Sequence, residues 1–275
     1  MMNFQHYFNF NRFFKLLKFD ISFNTKKYLI FIGVLIIVLF ILDLILIDTG
    51  STFRVLENND REYFYRKRDY QSSLVITFLV TMFLVVSSAF SAFRKKESTS
   101  NYLLHPASTF EKLLVQFVIR VLLFSMVFIV VFWADFKLAS FTYKLFNFKD
   151  TILIPNFALF DVFPHYIKLL DKTAIILGIL SFASYLLLNA VHFKKNVMLK
   201  TIVLFGIFAL SIFLLNVMLS HLFLPNEVKG FDVKVYHRYL ENGLRSDQFC
   251  TYIIGIFSSL FLLPLTYFKL KEKQV

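Results

Sequence analysis

Residues Tyr28 to Ile47 read Tyr-Leu-Ile-Phe-Ile-Gly-Val-Leu-Ile-Ile-Val-Leu-Phe-Ile-Leu-Asp-Leu-Ile-Leu-Ile, and within them Asp43 is the one charged side chain. A helix rising ~1.5 Å per residue crosses ~30 Å of hydrocarbon with about 20 apolar residues while satisfying its own backbone polar groups. Five more stretches share this character: Leu74 to Ala92, Leu113 to Phe132, Thr173 to Val191, Thr201 to Leu222 and Phe249 to Phe268. The second is the least apolar, because Ser87, Ser88, Ala89, Ser91 and Ala92 gather at its end. None shows the period-2 alternation of a barrel strand. The chain has 275 residues, is 57% hydrophobic and contains 38 Phe, which is too apolar for a soluble globular protein and far from the composition of a disordered one. The expectation is an all-α integral membrane protein: an N-terminal amphipathic interfacial helix over residues 1–27, then a single six-span domain over 28–275.

Orientation follows from the bases. With six spans both termini share one side, and the connections on that side hold fifteen Lys and Arg against four acids, a net of +11. The connections on the other side hold 14 bases and 13 acids, a net of +1. The shorter, more basic connections are expected inside, which places both termini in the cytoplasm and makes the protein a multi-pass component of the cell's inner, cytoplasmic membrane. The overall +12 is then an orientation signal and an attraction to anionic lipid, and no nucleic-acid partner is expected. No cleavable signal peptide is read, because the first apolar run is span-length. From Phe4 to Phe23, aromatics alternate with Arg12, Lys15 and Lys18, the pattern of a helix lying in the headgroup region, with a plain basic anchor as the competing interpretation.

The connection over residues 93–112 is Phe-Arg-Lys-Lys-Glu-Ser-Thr-Ser-Asn-Tyr-Leu-Leu-His-Pro-Ala-Ser-Thr-Phe-Glu-Lys. A short helix from about Glu97 to Leu104 is expected to stop before Pro106, which lacks a donor and disfavours helical geometry at His105. Ser108 and Glu111 have the spacing of a capping box opening the third span. A short surface helix joined stiffly to a span suits the transfer of force from a soluble partner; the bland alternative is a loop whose caps only stabilise helix ends.

These residues resemble a known family. Glu97, then Tyr102-Leu103-Leu104, Pro106-Ala107-Ser108 and Glu111-Lys112, at the inner end between the second and third spans, are similar to the segment found in permease subunits of type-2 ABC transporters. The resemblance is chain-wide in architecture and specific in sequence over about twenty residues. His105 stands where an apolar residue is more usual, Ser98-Thr99-Ser100 replaces the Gly-Thr that often follows the Glu, and the outer connection from Ala134 to Lys172 is longer than usual. The resemblance implies an ATP-driven exporter of a lipid, glycan or drug-like substrate, working with a soluble ABC ATPase subunit docked around Glu97 to Leu104 and with a second permease copy or a paralogue. ATP and Mg are then expected on the partner; no phosphate-binding Gly-x-x-x-x-Gly-Lys-Ser/Thr occurs here, and no cofactor is expected in this chain.

Few ionisable groups fall within the expected spans. Arg120 could line a path for an acidic lipid or glycan, or snorkel to the inner surface. Asp43 is expected to reach the outer surface, about 12 Å in depth from Arg120, so the two should not meet. With no second buried carboxylate in view, a proton- or sodium-coupled carrier is poorly supported. Ser87 with Ser91, Ser88 with Ala92, and Gly255 with Ser259 form small-residue faces that suit close helix packing. Outside, Asn59 to Tyr70 and Val233 to Asn242 read as surface helices, and the aromatic connection containing Phe146, Phe148, Ile152, Phe157, Phe160, Phe163 and Tyr166 is expected on the outer leaflet.

A single cysteine, Cys250, excludes a disulfide framework, and the six His lack metal-ligand spacing. Neither a Gly-x-Ser-x-Gly elbow nor a His-Glu-x-x-His motif is present, so no catalytic activity is expected in this chain. The alternatives to a permease are a non-transporting membrane scaffold and a membrane-embedded lipid-modifying protein. An adjacent ATPase reading frame would favour the permease.

Overall fold

A computed structural model describes residues 8–55, 61–91, 107–146, 152–159, 169–223 and 246–273. Among these, six helical stretches are long and apolar enough to cross a membrane, and the protein is a multi-pass membrane protein. The chain divides into two compact units, one comprising Met1–Val85 with His105–Ile167 and the other Val86–Leu104 with Lys168–Val275.

The first unit opens with α1, Phe10–Thr49, whose N-cap Asn9 accepts a hydrogen bond on Oδ1 from the Asn11 amide at 2.9 Å. The leading segment and the first span form one unbroken helix, so no backbone break marks residue 27. The reason is local: no Gly or Pro occurs before Gly33. A hairpin follows, β1 (Ser51–Val55) antiparallel to β2 (Arg61–Tyr65), with Ser51 opposite Tyr65 and Val55 opposite Arg61. α2 is Lys67–Ser87. The expected surface helix over Asn59 to Tyr70 is therefore corrected: residues 61–65 are a strand. Tyr63, Phe64 and Tyr65 favour a pleated, half-buried surface, and their aromatic rings outweigh the helix-like charge run around them.

α3 (Thr109–Phe117) passes through a π turn (Val118–Leu123) into α4 (Phe124–Leu145) without interruption. The third span thus extends thirteen residues beyond its expected end at Phe132. β3, Ile152–Leu153, pairs parallel with β2, so a small three-stranded sheet of order β1-β2-β3 accompanies the mostly helical architecture. Phe157 of the aromatic connection is buried inside this unit, with its ring stacked on Tyr70 at 4.3 Å.

The core of this unit is aromatic. Phe124, Phe128, Phe132 and Phe136 recur every four residues along α4 and so share one face. Phe78 of α2 meets Phe124 at 6.0 Å and Phe128 at 5.3 Å, and Tyr70 meets Phe132 at 5.3 Å and Phe136 at 4.8 Å. Such pairs add about 0.5–1.5 kcal/mol each beyond burial.

The second unit holds α5 (Leu169–His192), α6 (Val197–Phe223) and α7 (Ser246–Glu272). Asn196 makes the tight turn from α5 to α6 with φ 52, a left-handed conformation that Asn tolerates better than most residues. α5 packs on α7 through the small-residue face expected there. A Cβ at Gly255 would lie 2.9 Å from Leu177 Cβ, and Ser181 Oγ donates to the Gly255 carbonyl at 3.1 Å. Gly255→Val is expected to destabilise the α5–α7 pair by about 1–3 kcal/mol, because Leu177 Cβ is fixed to its backbone and has no room to turn away. Thermal unfolding in detergent followed by helicity checks this, and a variant as stable as the parent would show that the helices separate freely here.

Candidate functional site

The polar groups of the first unit concentrate where α1 runs parallel to the α3–α4 helix. At the N-terminal end of both, the Glu111 carboxylate is fully buried and binds three groups from two chain segments. Its Oε2 accepts from the Ser108 amide at 2.8 Å while Ser108 Oγ accepts from the Glu111 amide at 3.1 Å, completing the capping box. Its Oε1 accepts from the Asn9 amide at 2.7 Å and pairs with Arg12 Nη2 at 3.1 Å. One side chain therefore caps α3 and holds the start of α1. Leu16 supports the joint by packing on Val115 and Ile119, and Lys112 beside it is buried.

Two turns further along, Asp20 ties the same helices together. Gln116 Nε2 donates to Asp20 Oδ1 at 3.2 Å and the Tyr28 hydroxyl donates to Asp20 Oδ2 at 2.8 Å. Arg120, within the π turn, lies over the Tyr28 ring at 5.4 Å and donates through Nη1 to the Val85 carbonyl of α2 at 3.3 Å. The guanidinium is thus docked on α1 and α2. A π turn adds one residue to the helix and turns the face beyond it by about 100°, so α3 and α4 can present different faces to their neighbours.

Some 22 Å beyond Arg120, at ~1.5 Å per residue, a second polar group interrupts the same seam. Asp43 of α1 is 1% exposed and Asp135 of α4 is 3% exposed. The expectation that Asp43 reaches the surface is overturned, because it continues the buried stripe Leu35, Leu39, Asp43, Ile47 that α1 turns toward the protein. Tyr65 of β2 is buried beside it. Burial raises the Tyr65 hydroxyl's pKa above its ordinary value, and Asp43, Asp69 and Tyr70 push the same way. Further along both helices the Tyr143 hydroxyl donates to Asp48 Oδ1 at 3.1 Å.

Of the residues expected to couple to a partner, Ser108, Glu111 and Lys112 lie in the joint, while Glu97, Tyr102, Leu103, Leu104 and Pro106 lie outside the described residues, as does Val233 to Asn242. Sequence inspection missed Asn9, Asp20, Gln116 and Asp135. Asp135 carried a signal: Phe132, Asp135, Phe136, Ala139 and Tyr143 keep the 3-and-4 spacing of one helix face, and no Gly or Pro separates Asp135 from the span before it. Comparison with known proteins finds no matching family model, no matching curated protein and no matching solved structure.

Proposed function

We propose that this chain is the membrane-spanning permease subunit of an ATP-driven exporter, powered by a separate soluble ATPase that docks on residues 94–112. In this reading the N-terminal ends of α1 and α3 face the cytoplasm, a second copy or a paralogue completes the transporter, and the cargo is a lipid, glycan or drug-like molecule. ATP and Mg belong to the partner.

The observation that carries the reading is the Glu111 joint. A force applied to the segment before Ser108 enters α3 at its capped first turn, and the same carboxylate passes it to α1 through Asn9 and Arg12. A loop needing only a helix cap has no use for these long-range bonds. Arg120 then acts as a pin between α1, α2 and the π turn, which makes it a positioning residue for any path it borders.

The test is purification of the full chain from its native membrane in mild detergent, with ATP hydrolysis measured on what accompanies it. An ATPase is expected to copurify. Glu97→Ala or Tyr102→Ala is expected to leave membrane insertion intact while uncoupling hydrolysis from transport. Absence of any associated ATPase, under conditions that retain the folded chain, would remove the basis for the proposal and favour a scaffold.

A further inference from the structure

A carboxylate buried in a membrane protein is normally paired with a base, bound to a cation or protonated, since an isolated charge in a medium of low dielectric is too costly to keep. Neither Asp43 nor Asp135 has a hydrogen bond or ion pair with another described residue. Asp43 Oδ2 and both oxygens of Asp135 are fully buried and without a partner. Because α1 and α4 pack against each other and are tied just beyond this point by the Tyr143–Asp48 hydrogen bond, two negative charges there would repel across the interface.

The surrounding groups do not neutralise them. From β2 comes the hydroxyl of Tyr65, with Asp69 and Tyr70 of α2 behind it. On α1, Asp48 is engaged by Tyr143 of α4. Lys137 of α4 sits over the Trp133 ring at 4.2 Å. No third His, Cys, Asp or Glu joins the pair among the described residues, whereas a divalent ion needs about six oxygen ligands. A proton, which requires no ligand shell, fits this site.

We infer that Asp43 and Asp135 form a proton-binding site in which at least one of the two is held as the uncharged carboxylic acid. Binding converts a carboxylate and a proton into a carboxyl group; release returns both and leaves two charges facing each other between α1 and α4. The packing of these helices, and of the hairpin that places Tyr65 over them, thereby responds to proton occupancy. This inference does not depend on an ATPase partner.

Infrared spectroscopy of the full chain in lipid vesicles tests it. At neutral pH in sodium-free buffer, a carboxylic acid C=O band is expected, shifted by carboxyl-13C aspartate labelling and lost in Asp43→Asn/Asp135→Asn. The labelled parent identifies the band even if the double variant fails to fold. Raising pH is expected to lower the parent's melting temperature more than the variant's, since only the parent must keep a bound proton to remain folded. An unshifted or absent band would overturn the inference. So would loss of the band on adding sodium at constant pH, which would assign a cation site instead.

Discussion

Glu111→Ala is expected to lower the stability of the first unit by about 2–4 kcal/mol, the sum of a lost helix cap and of buried amides left without an acceptor. The size follows from geometry. The carboxylate is fully buried, and three partners, Ser108 N, Asn9 N and Arg12, depend on its two oxygens. The Arg12 pair contributes least, because the arginine side chain is 37% exposed and an exposed pair is worth about 0.2–1 kcal/mol. Arg12→Ala should accordingly cost less than 1 kcal/mol. Glu111→Gln keeps one acceptor oxygen and should fall between the two. Denaturant-driven unfolding of the purified chain orders the three variants, and a Glu111→Ala protein within about 0.5 kcal/mol of the parent would show that the joint carries no strain-bearing contact.

The parts of this structure visible in the sequence are those that depend on near neighbours. Apolar runs announce the spans because a bilayer filters for length and hydropathy alone. The Ser108–Glu111 box was readable because its members are three residues apart. The joint built on that box was not: Asn9 and Glu111 are separated by 102 positions, and no local rule says which buried acceptor an N-terminal amide will find. Asp135 escaped for another reason. Trp133, Asp135 and Lys137 reduce hydropathy and mimic the end of a span, yet the helix continues because Phe136, Ala139 and Tyr143 still have a protein face to fill. The strand at Arg61–Tyr65 shows the reverse error, a charge run masking residues whose pairing with β1 decides their backbone. A stripe traced by burial spacing past the hydropathic end of each span would have found Asp43 and Asp135 on facing helices.

Phe128→Ala is expected to destabilise the α2–α4 packing by about 2–3 kcal/mol, less than the 3–5 kcal/mol typical of such a change in a soluble core. The difference is physical. In water, exposing the site on unfolding costs transfer free energy; in a bilayer the separated helices meet lipid tails as apolar as the ring, so the loss is chiefly dispersion contact and the cavity left behind. Phe128 is fully buried and holds Phe78 at 5.3 Å, Phe124 at 5.8 Å and Phe132 at 6.0 Å, so an alanine leaves three rings facing a void. Phe128→Leu, which keeps most of the volume, should recover more than half of the loss. Exposed Phe141, on the same helix, is the control: Phe141→Ala should change stability by less than about 0.5 kcal/mol in lipid. Equal effects at 128 and 141, measured by steric trapping or denaturant unfolding in bicelles, would mean that the aromatic ladder along α4 is a lipid-facing surface and not the core of its unit.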